Sequence, residues 1–131
     1  MPKTTKANFK TFTKEADYWI DKFQLREWRV YFVHDRADDL PDALAWRGAN
    51  FKGRVATIGL SPDWQENEIT DWDLCLSAFH EVCELMTADI VSVASLDICP
   101  SDSEDLEAYI HSLIRRLEHA VWLPDYKRRK K

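Results

Sequence analysis

The stretch Thr70-Asp71-Trp72-Asp73-Leu74-Cys75-Leu76-Ser77-Ala78-Phe79-His80-Glu81-Val82-Cys83-Glu84-Leu85-Met86-Thr87-Ala88 decides how the chain folds. Leu74, Ala78, Val82, Leu85 and Met86 recur at helical spacing and predict one buried stripe. Thr70 is the expected N-cap, with Asp73 as a weak capping-box partner and Ile69 packing on Leu74 as a hydrophobic staple. The helix is expected to reach Ala88 or beyond. Within it, His80 and Glu84 lie one turn apart and project from the same face. Both residue types bind zinc, at roughly 2.0–2.2 Å. Glu81 is rotated from His80 by about 100°. It flanks such a site without being forced to ligate, which is where a general base stands to take a proton from a water. Cys83 points away from the 80/84 face and reads as a small buried hydrophobe.

Upstream of this helix the periodicity changes. Between Glu27 and His34, Trp28, Val30 and Phe32 fall on one face and Arg29, Tyr31 and Val33 on the other, so a strand is expected. His34 ends it as a hydrogen-bonded or surface residue. Asp35 to Asp42 contains Pro41 and reads as a loop. Ala43–Ala49 and Gly53–Leu60 read as two more strands, joined into a hairpin by Asn50-Phe51-Lys52-Gly53. Nearer the N-terminus, Ala16, Trp19, Ile20 and Phe23 predict a helix capped by Thr13 and running to about Leu25, with residues 1–10 frayed.

Downstream, Ser101 with Glu104 three residues on opens a last helix. Its expected stripe is Leu106, Ile110, Leu113, Leu117 and Val121, and Pro124 should stop it. The order helix, three strands, helix, helix predicts an α+β fold. A three-stranded, mainly antiparallel sheet carries the helices on one face.

Two side chains are too few for a tight metal site, so a third is expected from another element. The last helix offers Glu107, His111, Glu118 and His119. His111 follows Ile110 and sits at the border of the buried stripe, where a side chain can point between helices. His80, Glu84 and His111 together would be two histidines and one carboxylate. That is one known ligand set of catalytic zinc, with a fourth position free.

His80-Glu81-Val82-Cys83-Glu84 resembles the zincin helix motif HExxH with its second His replaced by Glu. Ala56-Thr57-Ile58-Gly59-Leu60, followed by Trp64 and the motif helix, is similar to small single-domain zincin-like proteins, most of all phage-encoded metallopeptidases. Their late helix carries a pattern like His111-Ser112-Leu113-Ile114-Arg115-Arg116-Leu117-Glu118. The resemblance covers about residues 27–122. It implies a helix, a twisted sheet, the motif helix and a ligand-bearing last helix. It also implies a zinc ion held by His80, Glu84 and His111, with Glu81 as base in peptide hydrolysis. Glu84 in place of an imidazole removes one unit of positive charge and should weaken the metal as a Lewis acid. The partner implied is a peptide or protein substrate. A degenerate zincin scaffold that binds a host or partner protein is the alternative.

Composition is consistent with one domain over residues 1–126. The 131 residues are 45% hydrophobic and include six Trp, enough for a real core in which most of the Trp side chains are expected to be buried. The net charge is −5, and Lys127 to Lys131 are all basic. Set aside as a tail (127–131), they leave 13 basic against 23 acidic residues, a balance of −10. An acidic body argues against a broad nucleic-acid interface. The tail is expected to be solvated, with phosphate or a membrane surface as its other uses. Arg115 and Arg116 are expected to pair with nearby acids. Cys75, Cys83 and Cys99 make an odd number without a CxxC pair, so neither a disulfide framework nor a cysteine zinc knuckle is expected. The expected compartment is a reducing cytoplasm, that of the host for a phage-encoded chain. No secretory signal or membrane span is expected.

Overall fold

The computed structural model describes residues 2–50, 52–97 and 103–130. The expected cap at Ser101, Phe51 of the turn, Cys99 and Lys131 lie outside these. The first helix, α1, is Lys6–Lys22. The strands are β1 (Arg29–Val33), β2 (Ala45–Asn50) and β3 (Val55–Leu60). The motif helix, α2, is Asp71–Asp97. The C-terminal part is α3 (Ser103–Leu117), a π-helical segment (Glu118–Trp122) and α4 (Leu123–Arg129). No described helix is long and apolar enough to cross a membrane.

The fold is α+β, as its element order predicts. β3 is the central strand, in the order β1-β3-β2. The expected hairpin is present as an antiparallel ladder pairing Trp46 with Gly59 and Arg47 with Ile58. β1 joins β3 in parallel, Val30 beside Ala56 and Phe32 beside Ile58, so the sheet is mixed. Parallel pairing follows because β2 returns on the far side of β3, which then enters the gap as a middle strand. Residues paired across a sheet share a face. Val30, Phe32, Ala45, Arg47, Ala49, Ala56, Ile58 and Leu60 therefore face the helices, and Ala56, Ile58 and Leu60 are buried. On the other face Trp46 lies over Gly59, where an added Cβ would come within 2.1 Å of the indole.

α2 is capped as predicted: Thr70 Oγ1 accepts from the Asp73 N–H at 3.1 Å and donates to the Asp73 carboxylate at 2.8 Å. Leu74, Ala78, Phe79, Val82 and Leu85 are buried, and Cys83 is fully enclosed. Burial raises the Cys83 thiol well above its ordinary pKa.

Three expectations need correction. α1 begins at Lys6, capped by Thr5, whose hydroxyl accepts from the Asn8 N–H at 3.1 Å while Asn8 Oδ1 accepts from the Thr5 N–H at 2.8 Å. The extra turns bury Phe12 completely. At its other end, α1 stops at Lys22 and Gln24 takes a φ of 57°.

Pro124 does not stop the last helix. It stands in the first turn of α4, where its missing N–H costs no hydrogen bond, and the chain stays helical to Arg129. The buried face shifts too: Ile114 is fully enclosed and Leu113 is exposed.

The basic tail continues the helix to Arg129, with Lys127, Arg128 and Lys130 exposed and Arg129 half-buried. Tyr126 is buried and its hydroxyl donates to Asp71 at 2.7 Å. Arg129 Nη1 and Nη2 donate to Glu15 at 2.9 and 2.7 Å. Lys130 pairs with Asp71 at 3.3 Å. By contrast, Arg115 and Arg116 stand exposed with no ion pair among the described residues. His34 is hydrogen-bonded, as expected of a strand end, with its Nε2 2.6 Å from Thr4 Oγ1 and its ring stacked on Phe9. Trp19, Trp28, Trp64 and Trp122 are core residues, and Trp72 is exposed.

Candidate metal centre

α2 and α3 run past each other in opposite directions. The pair His80/Glu84 on α2 therefore meets His111 of α3 and Glu118 of the π-helical segment in reversed order, Glu84 beside His111 and His80 beside Glu118. His111 Nε2 lies 3.4 Å from Glu84 Oε1, and His80 Nε2 lies 4.0 Å from the same oxygen. The two imidazoles are near parallel, 25° apart with centroids at 5.5 Å. His80, Glu84 and His111 each offer a ligand atom, and these atoms all lie within 4.8 Å of one another. The group could hold a metal ion. In a tetrahedral zinc shell of radius ~2.0–2.1 Å, ligand atoms stand roughly 3.3 Å apart. The Glu84–His111 contact already has that spacing, and the remaining approach needs shifts of about 1.5 Å or less. Side-chain rotation supplies shifts of that size.

Glu118 takes a different place from the one considered for it as a ligand. Its Oε2 lies 3.2 Å from His80 Nδ1. A carboxylate only accepts, so His80 donates from Nδ1, and Nε2 keeps the lone pair on the side of Glu84. This hydrogen bond holds the His80 pKa above its ordinary value against the opposing effect of burial. Glu118 is also the first residue of the π-helical segment. Glu107 is exposed and borders the neighbouring cleft, and His119 lies away from the centre beside Arg115 and Arg116.

Glu81 is only 6% exposed. Burial, then the charge of Glu84 and a hydrogen bond to it, push its carboxyl well above the usual range, while Arg47 opposes the rise. A cation held beside Glu84 would favour the ionised form of Glu81.

Two clefts flank the centre. One, of about 320 Å³, is bordered by Ala45, His80, Glu81 and Glu118. The other, of about 410 Å³, is bordered by Arg47, Glu84 and His111. Ala45 and Arg47 are two residues apart on the same face of edge strand β2, roughly 6.8 Å along it. Comparison of the chain with family models, with curated proteins and with solved structures finds no match.

Proposed function

We propose that the protein is a zinc-dependent hydrolase of the peptidase type, with His80, Glu84 and His111 as metal ligands and Glu81 as general base. The observation that carries this reading is the convergence of three donors, two on α2 and one on α3, on one point beside a buried carboxyl. A zinc ion held there would supply Lewis acidity toward a substrate carbonyl and a water. Glu81 would take the proton of the attacking water and pass it to the leaving amine. Glu118 keeps the His80 ring in the ligating tautomer. β2 runs beside both clefts, and its free edge suits an extended peptide added as a further strand. On this reading the chain works in a reducing cytoplasm, the host's for a phage-encoded protein, in keeping with the buried free thiols of Cys75 and Cys83.

Glu81→Gln tests the chemistry. Turnover of an unstructured protein substrate by the zinc-loaded chain should fall by about 10²–10⁴-fold, with zinc content unchanged. Equal turnover in the variant removes Glu81 from the mechanism. A second reading, a zincin-like scaffold that binds a host or partner protein without chemistry, is supported by Ile90, Val93, Leu96 and Tyr109, large apolar residues left exposed on α2 and α3. Under that reading Glu81→Gln leaves partner binding intact and there is no turnover to lose.

A further inference from the structure

The helix-facing side of the sheet carries a cation among small and apolar side chains. Arg47 stands between Ala45 and Ala49 on β2, opposite Ile58. Its Nε is shut off from solvent and meets no acceptor among the described residues. A guanidinium keeps its charge at any ordinary pH, and a buried N–H without a partner is destabilising. Such a residue is out of place as a packing element. Glu81 lies within its electrostatic reach, yet no hydrogen bond joins the two.

Arg47 borders the cleft of about 410 Å³ that also reaches Glu84 and His111, and Ala88, Val91 and Ile110 form an apolar wall to it. An anion that enters this cleft meets the Arg47 side chain at one end and the metal-ligand group at the other. The planar fork of Arg matches the two oxygens of a carboxylate. We propose that Arg47 is the specificity residue of this cleft and receives a carboxylate of the ligand that approaches the His80–Glu84–His111 group. The inference deepens the hydrolase reading and rests on it. A peptide offers carboxylates from two sources, its C-terminus and its acidic side chains.

Three small probes separate these sources: acetyl-alanyl-leucine, its C-terminal amide, and acetyl-alanyl-glutamic acid as the α-amide. Each is titrated calorimetrically into the full chain, zinc-loaded and metal-free, for wild type, Arg47→Met and Arg47→Lys. Wild type should bind at least one carboxylate probe about tenfold or more tighter than the uncharged amide. Preference for the first acid assigns the site to chain termini, and preference for the second to acidic side chains. Arg47→Met should lose the preference while keeping its zinc affinity and its melting temperature, and Arg47→Lys should retain part of it. Equal binding of acid and amide by wild type overturns the proposal. So does a preference that survives Arg47→Met, or a marked drop in melting temperature in that variant. If zinc does not bind at all, the hydrolase reading fails separately, and the metal-free titrations still decide the role of Arg47.

Discussion

Glu15 on α1 and Glu81 on α2 are both all but closed to solvent, at 4% and 6% exposure, and the fold surrounds them differently. Glu15 accepts from the indoles of Trp19 and Trp122 at 3.0 and 3.1 Å and from both terminal nitrogens of Arg129 at 2.9 and 2.7 Å. Its charge is balanced and its lone pairs are filled. Glu81 faces a second carboxyl, and no hydrogen bond joins it to the nearby Arg47. Burying an ion is costly unless partners replace its water. The first carboxylate is thus a finished part of the architecture, clasping α4 to α1. The second lacks such partners, and on the proposed reading a cation completes it.

The largest effect expected from this contrast is on stability at the finished site. Glu15→Ala leaves Arg129 and two indole N–H groups without their acceptor and should cost about 3–5 kcal/mol in urea unfolding. Glu81→Gln in the metal-free chain removes a carboxyl whose charged form is disfavoured by burial and by Glu84, and should leave the urea midpoint unchanged or raised. Similar losses in the two variants would erase the distinction.

A smaller effect is expected at Glu118. Glu118→Gln keeps its size but weakens the hold on His80 Nδ1, and zinc affinity should fall by about 10–100-fold, read by competition with a chromophoric chelator. An unchanged affinity would mean that Glu118 does not orient the ligand.

The smallest effect concerns pH. The Tyr126 hydroxyl, and after it Lys130, hold the Asp71 carboxyl below its ordinary range against the cost of burial. A depressed carboxylate pKa stabilises the fold above the unfolded value, and the gain is lost as pH falls through the folded one. Asp71 is half exposed, so the gain should stay below about 1 kcal/mol. Unfolding of wild type and Asp71→Asn should therefore differ at pH 6 and converge as the pH falls below the ordinary carboxylate range. A difference that persists at low pH would assign the loss to packing.

Sequence reading reached the motif helix and its stripe because that helix is long, capped at Thr70 and strongly periodic. It put His80 and Glu84 on one face because spacing within a helix is local information, and it drew His111 from the border of the stripe on the last helix. The parts it missed depend on partners distant in the chain. Arg129 is one member of a run of basic residues until α4 lies against Glu15. β1 pairs in parallel only because β3 enters between the outer strands. Arg47 faces inward because Gly59 leaves room for Trp46 on the outer side, and the apolar Trp46 gives no hint that its neighbour carries the buried face. At the N-terminus, Asn8 plays the part usually taken by Glu or Gln in a capping box, which hid the first two turns of α1. Past Leu117 the π-helical segment changes the phase of the helix, and it carries the chain on through Pro124.

The central claim is that the incomplete site is completed by zinc. Crystals of the chain grown with one equivalent of zinc, measured on both sides of the zinc absorption edge, test it most directly. An anomalous peak is expected roughly 2.0–2.2 Å from His80 Nε2, a Glu84 oxygen and a His111 nitrogen, with Glu118 still on His80 Nδ1. A zinc-free map, or a peak bound elsewhere while these three side chains keep their present spacing, would contradict it.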